Sequence, residues 1–137
     1  MNKHNIPECY YRISVKALVL DETRTKFLLI KEENGLWELP GGGLDHGMAV
    51  DEELKREIRE EMGLETTWIA DAPSYFLTSR RNSDGSPNAN IIYETKLKDL
   101  DFTPSDECVE LRFVSVEEAG ELELFDNVKV FLEMFKI

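Results

Sequence analysis

The chain has 137 residues, of which 42% are apolar and 32% charged, a length and balance that suit one folded domain and exclude disorder as its main state. Its 28 acidic against 16 basic side chains leave a formal charge of −12, which argues against binding a nucleic acid polymer or an anionic membrane through phosphates. With no apolar leader in Met1–Arg12, no membrane-length apolar run, and cysteines (Cys9, Cys108) matching neither a disulfide framework nor a zinc pair, the expectation is a single cytoplasmic domain over residues 1–137.

Tyr11–Leu20 alternates as a strand, with Ile13, Val15, Ala17 and Val19 on one face and Ser14, Lys16, Leu18 and Leu20 on the other. The polar stretch 21–25 and the run Lys26–Lys31 predict a hairpin partner. Asn34-Gly35 marks a turn, Leu36–Leu39 is a short apolar piece ending at Pro40, and three glycines, Gly41–Gly43, follow.

Val50, Leu54, Ile58 and Met62 recur every four residues, predicting a helix over 50–62 with Gly63 as its C-terminal cap and Asp51, Glu52 and Glu53 in the first turn. Strands are expected at Thr66–Ala72, Tyr75–Thr78, Ala89–Leu97 and Cys108–Ser115, with a polar loop over Arg80–Asn88. Val128, Phe131, Leu132 and Phe135 give a last helix an apolar stripe, either core or a dimer face. Trp37, Tyr75 and Phe76 read as core rather than base-stacking residues. Strands on both sides of a helix, with a terminal helix, predict an α+β fold with a mixed sheet packed between helices.

The helix carries the chemical signal. At about 100° per residue, Glu53, Glu57, Glu60 and Glu61 share an arc that borders the apolar stripe, while Lys55 and Arg59 lie opposite. Like charges three and four apart repel, so a positive partner is expected. Oxygen ligands beside a glycine-rich loop favour a hard cation, Mg²⁺ or Mn²⁺, over zinc.

Gly42 and the run Arg56-Glu57-Ile58-Arg59-Glu60-Glu61-Met62-Gly63-Leu64, led in by Leu39-Pro40-Gly41, resemble the Nudix hydrolase family. That family's box is a Gly, five residues, a Glu, seven residues, then Arg-Glu-apolar-any-Glu-Glu-any-Gly-apolar, which here spans Gly42–Leu64. One position departs: Met48 stands where the family has a glutamate that helps hold the loop and the arginine, and Glu52, four residues before Arg56, is a replacement partner.

The resemblance implies a Nudix-like αβα sandwich and metal-dependent hydrolysis of the pyrophosphate bond in a nucleoside diphosphate linked to another group. Glu57, Glu60, Glu61 and a backbone oxygen at Gly41 or Gly42 are the implied metal ligands; Arg56 orients the carboxylates and Glu60 assists as general base. Because members of that family often use a carboxylate outside the box as the base, Glu107 and Glu110, flanking the last strand on the substrate side, are alternative candidates for it, and Arg80 and Arg81 either contact phosphates or solvate their loop. The other reading is a nucleotide-binding or sensing module in which Met48 marks weak or lost catalysis. A small nucleotide or nucleotide derivative is the expected partner, with a homodimer as the default assembly. Subfamily signposts, a Pro or Tyr some fifteen to eighteen residues past the box, are absent, since Ser79–Asn82 fill that window.

Overall fold

The computed structural model describes residues 9–137. The leader-free reading of the N-terminus falls largely on residues 1–8 and so lies outside the described residues. The elements in chain order are β1 (Arg12–Leu18), β2 (Phe27–Lys31), β3 (Trp37–Glu38), β4 (Gly41–Gly43), α1 (Val50–Met62), β5 (Thr66–Ile69), β6 (Tyr75–Arg80), β7 (Pro87–Leu97), β8 (Glu110–Val114), α2 (Val116–Ala119) and α3 (Asp126–Met134).

Two sheets form. β1 lies between β4, antiparallel, and β7, parallel, while β6 and β5 take successive stretches of the other edge of β7. β2 lies between β3 and β8, antiparallel to both. The expected β1–β2 hairpin is therefore corrected: the two strands meet only where they cross, at the Leu20–Phe27 bridge and the Leu28 N–H to Val19 bond of 2.9 Å. Both edges of β1 are already taken by β4 and β7, so β2 has no ladder to join.

The alternation in β1 and β2 divides the core. Val15, Ala17 and Val19 with Leu28 and Ile30 pack under Leu54, Ile58 and Met62 of α1. Leu18 with Phe27 and Leu29 face the opposite way, against Val128 and Phe131 of α3. The strands are thus sandwiched between α1 and α3, the arrangement the sequence predicts. Phe131 stacks edge-on against Phe27 and Tyr75 at 5.1 and 5.4 Å, so Phe131 and Phe135 belong to the core rather than to a dimer face. Trp37 is buried as expected, whereas Phe76 is exposed.

Helix α1 matches its predicted bounds and closes on Gly63, whose N–H donates to Arg59 O at 2.8 Å. The other differences sit at element ends. β5 stops at Ile69, the 80–88 loop contracts to a tight turn over 81–86 because Arg80, Pro87 and Asn88 pair in the β6–β7 ladder, and Cys108 precedes β8 in a turn with Ser105. The sequence reading missed α2, although Ser115 and Glu118 form a reciprocal capping box that the order Ser-Val-Glu-Glu announces. Among the described residues no helix is long and apolar enough to cross a membrane.

Candidate active site

Glu57 and Glu61 project from α1 toward the turn that precedes β8, where they meet Glu107. One carboxylate oxygen of each lies within 4.8 Å of the others. The backbone of β4 runs alongside. Gly41 N–H donates to Glu61 Oε1 at 3.0 Å, and the Glu57 carboxyl rests against Gly42, where a Cβ would come within 2.5 Å of it. Gly41 itself has φ of +134° and lies so close to β1 that a Cβ would reach 2.1 Å from Val15 O. The glycines are thus required by contact: any side chain here would push the strand away from β1 or the carboxylate away from the cluster.

Burial grades the acidic arc. Glu53 and Glu61 are 0% and 3% exposed, Glu57 is half-buried and Glu60 exposed. Burial raises the Glu61 carboxyl well above its ordinary value, opposed by Lys16 and the Gly41 N–H and reinforced by Glu107 and Glu57. Glu57 is raised too, first by burial, although Arg56 counteracts it. Carboxylates that converge in partial burial, with their charged forms disfavoured, are arranged for a cation. The donor set fits a hard divalent ion: three carboxylates, no nitrogen or sulfur.

Arg56 lies beside this cluster rather than in it. It bonds to Glu53, to Glu57 at 3.0 Å and to Glu60 at 2.8 Å. Glu60 therefore turns its carboxylate to Arg56 and solvent. Glu52 is not the partner of Arg56 but pairs with Lys55 at 3.7 Å; one residue further along the helix, Glu53 points inward where Arg56 can reach it. Glu110 pairs with its strand neighbour Arg112 at 2.9 Å and lies outside the three-carboxylate cluster. Arg80 and Arg81 line a polar cavity of about 200 Å³ together with Lys16, Glu38 and Asn127. Arg80 also braces its own turn, Nη1 donating to Gly85 O at 3.2 Å, and Arg81 pairs with Asp84 at 3.8 Å. His46 and Met48 are exposed on the 45–49 loop.

The floor of that cavity went unnoticed in the sequence. Lys16 is 6% exposed, pairs with Glu38 at 3.6 Å and donates to Gly41 O at 3.4 Å. Glu38 accepts from Asn127 Nδ2 at 2.7 Å, and the same nitrogen donates to Asn90 at 3.0 Å. Buried polar groups persist only when bonded to one another, and this chain runs from the cavity to the glycine strand that touches Glu61. The available signal was slight: Lys16 shares its β1 face with Ser14 and Leu18, Asn90 shares its β7 face with Asn88 and Ile92, and Asn127 precedes Val128.

Residues 10–135 match the family model described as NUDIX domain. The chain belongs to the Nudix family. It is 30% identical over 103 residues to the nucleoside triphosphatase NudI of Enterobacter sp. (strain 638), covering 70% of this chain and 73% of that protein. It is 27% identical over 118 residues to the asymmetrical bis(5'-nucleosyl)-tetraphosphatase of Mus musculus, covering 83% and 80%. Among solved structures, the E. coli ORF135 protein superposes with a TM-score of 0.71 at 25% identity, covering 90% of this chain and 86% of that one. The protein is thus a Nudix hydrolase, of a family acting on nucleoside diphosphate derivatives.

Proposed function

We propose that this Nudix hydrolase is a divalent-cation-dependent pyrophosphohydrolase of small nucleotides, comprising one domain, with the reacting phosphates over Glu57, Glu61 and Glu107 and the nucleoside in the cavity beside them. The observation that carries the reading is the convergence of three carboxylates, one nearly fully buried, on a glycine strand bonded to the cavity's lysine. Glu57, Glu61 and Glu107 would hold Mg²⁺ or Mn²⁺ with a backbone oxygen at Gly41 or Gly42, and Glu60 lies on the outer edge, held by Arg56. Such a cation would supply Lewis acidity, neutralising phosphate oxygens and lowering the pKa of the attacking water.

The remaining work falls to the chain's own side chains. Lys16, Arg80 and Arg81 line the cavity with positive charge, which attracts a polyphosphate to a protein of net charge −12. Glu38 and Asn127 line the cavity and, with Asn127 held in place by the fully buried Asn90, supply fixed polar groups that orient the bound nucleoside. Glu107, the exposed member of the cluster and outside the box, would hold the cation through one carboxylate oxygen and accept the proton of the attacking water through the other as general base, with Glu60, held by Arg56, the alternative.

Nucleoside triphosphates are the first substrates to try, since the relative from Enterobacter is named for them. The test is product release from a panel of nucleoside triphosphates, sugar nucleotides, ADP-ribose, dinucleoside polyphosphates and a 5′-triphosphorylated oligonucleotide, with Mg²⁺, with Mn²⁺ and with chelator. Chelator-sensitive turnover of a small nucleotide is expected. Turnover confined to the oligonucleotide, or unaffected by chelator, would overturn the reading.

A further inference from the structure

Glu53 is the most deeply buried charged side chain described, at 0% exposure. Its bond to Arg56 engages Oε1. Its Oε2 is the one buried side-chain polar atom without a hydrogen-bond partner among the described residues. Burying a carboxylate on a helix face beside Leu54 is unfavourable unless the charge is fully paired, so a side chain kept in this state needs a use outside packing. Arg56 shows what that use is. The nitrogen of Arg56 that meets Glu53, Nη2, also donates to Glu57 Oε1 at 3.0 Å, while Nη1 holds Glu60 at 2.8 Å. The guanidinium is therefore pinned by Glu53 at Nη2, through the same nitrogen holds Glu57 of the cluster, and through Nη1 holds Glu60 beside it.

We propose that Glu53 is a positioning residue: through Arg56 it sets the direction of the Glu57 carboxylate, the task for which box position 48 carries no acid in this chain. Met48 is 43% exposed on its loop and offers Arg56 no oxygen. The loop has its own fastening, since the Arg12 guanidinium lies against Gly43, donates to Leu44 O at 3.5 Å and pairs with Asp45 at 3.6 Å. Holding the arginine and holding the loop are thus separate jobs, done by Glu53 from inside the helix and by Arg12 from β1. The inference rests on the cation reading of the cluster, because the benefit of a directed Glu57 is a preformed ligand.

The test uses Mn²⁺ alone as the probe, its binding followed by electron paramagnetic resonance, on the wild type, Glu53→Gln, Arg56→Lys, the double variant and Met48→Glu. Glu53→Gln keeps the shape and removes the charge. It is expected to weaken Mn²⁺ binding at least tenfold and to broaden the Arg56 Nε–H resonance in metal-free protein. Because Glu53 acts through Arg56, the double variant binds no more weakly than Arg56→Lys does. Met48→Glu changes the affinity less than twofold, because Arg56 is already held. Undiminished binding by Glu53→Gln, additive losses in the double variant, or a tenfold gain in Met48→Glu would each overturn the assignment. A wild type that binds no Mn²⁺ overturns the cation reading itself, an outcome distinct from a wild type and Glu53→Gln that bind equally well.

Discussion

Glu61→Gln reverses the sign of a stability effect, and the structure says by about how much. The amide retains an oxygen for the Gly41 N–H, which now reaches Glu61 at 3.0 Å, and its nitrogen can donate to the neighbouring carboxylates, so little packing is lost. What disappears, at a pH above the raised Glu61 value, is one negative charge facing two others within 4.8 Å. At that distance and an effective dielectric near 20, each like pair costs about 3 kcal/mol. Water at the exposed Glu107 and loss of the attraction to Lys16 reduce the net gain to about 1–2 kcal/mol, or a rise of about 3–8 °C in Tm for a domain of this size. In chelator the variant is therefore the more stable protein. With Mn²⁺ at a hundred times its Kd the wild type gains about 2.7 kcal/mol, the variant gains far less, and the order inverts. Differential scanning calorimetry with and without Mn²⁺ reads both halves, alongside loss of cation-dependent turnover. A variant less stable in chelator, with an undiminished Mn²⁺ response, would show that Glu61 is a structural acid and not a ligand.

Because burial raises the Glu61 carboxyl well above its ordinary value, folded metal-free protein keeps a proton that the unfolded chain releases. Its stability should fall as pH rises above about 4.5 through the raised folded value, and the gap between Glu61→Gln and wild type should widen over that range; a gap independent of pH contradicts this. Gly42→Ala places a methyl 2.5 Å from the Glu57 carboxyl, so Mn²⁺ affinity should drop at least tenfold by titration while circular dichroism stays native. Leu54→Ala empties a fully buried site under α1 and should lower unfolding free energy by about 2–5 kcal/mol in urea melts; a change under 1 kcal/mol would mean the helix face is misassigned. The Cys108 thiol is buried and pushed up to about 11, so a thiol reagent at pH 8 should modify exposed Cys9 quickly and Cys108 only after denaturation.

Much of the frame was legible locally. The four-residue recurrence of Val50, Leu54, Ile58 and Met62, stopped by Gly63, set α1 to its observed ends, because helix period and cap are written into adjacent residues. Alternation along β1 likewise separated the face under α1 from the face that carries Ser14, Lys16 and Leu18. The box placed Glu57 and Glu61 one turn apart beside a glycine-rich loop, since a spacing of four on a helix is itself a three-dimensional statement, and the fold turned that loop into β4 paired to β1.

Only the tertiary structure decided who meets whom across the chain. Glu107, forty-six positions beyond Glu61, enters the cluster while Glu110 turns to Arg112, a choice made by how the turn before β8 lies against α1. Strand partners depended on which edges were free, which is why β1 and β2 parted into two sheets. The chain of Lys16, Glu38, Asn127 and Asn90 joins four separate elements, and no spacing in the sequence encodes it. Glu52 and Glu53 are adjacent acids with equal claim on Arg56 by helical reach; burial under the packed sheet gave the bond to Glu53. Periodicity, caps and turns are properties of neighbours, and the sequence states them. Pairing and burial depend on what the rest of the chain leaves open, and these came only with the fold.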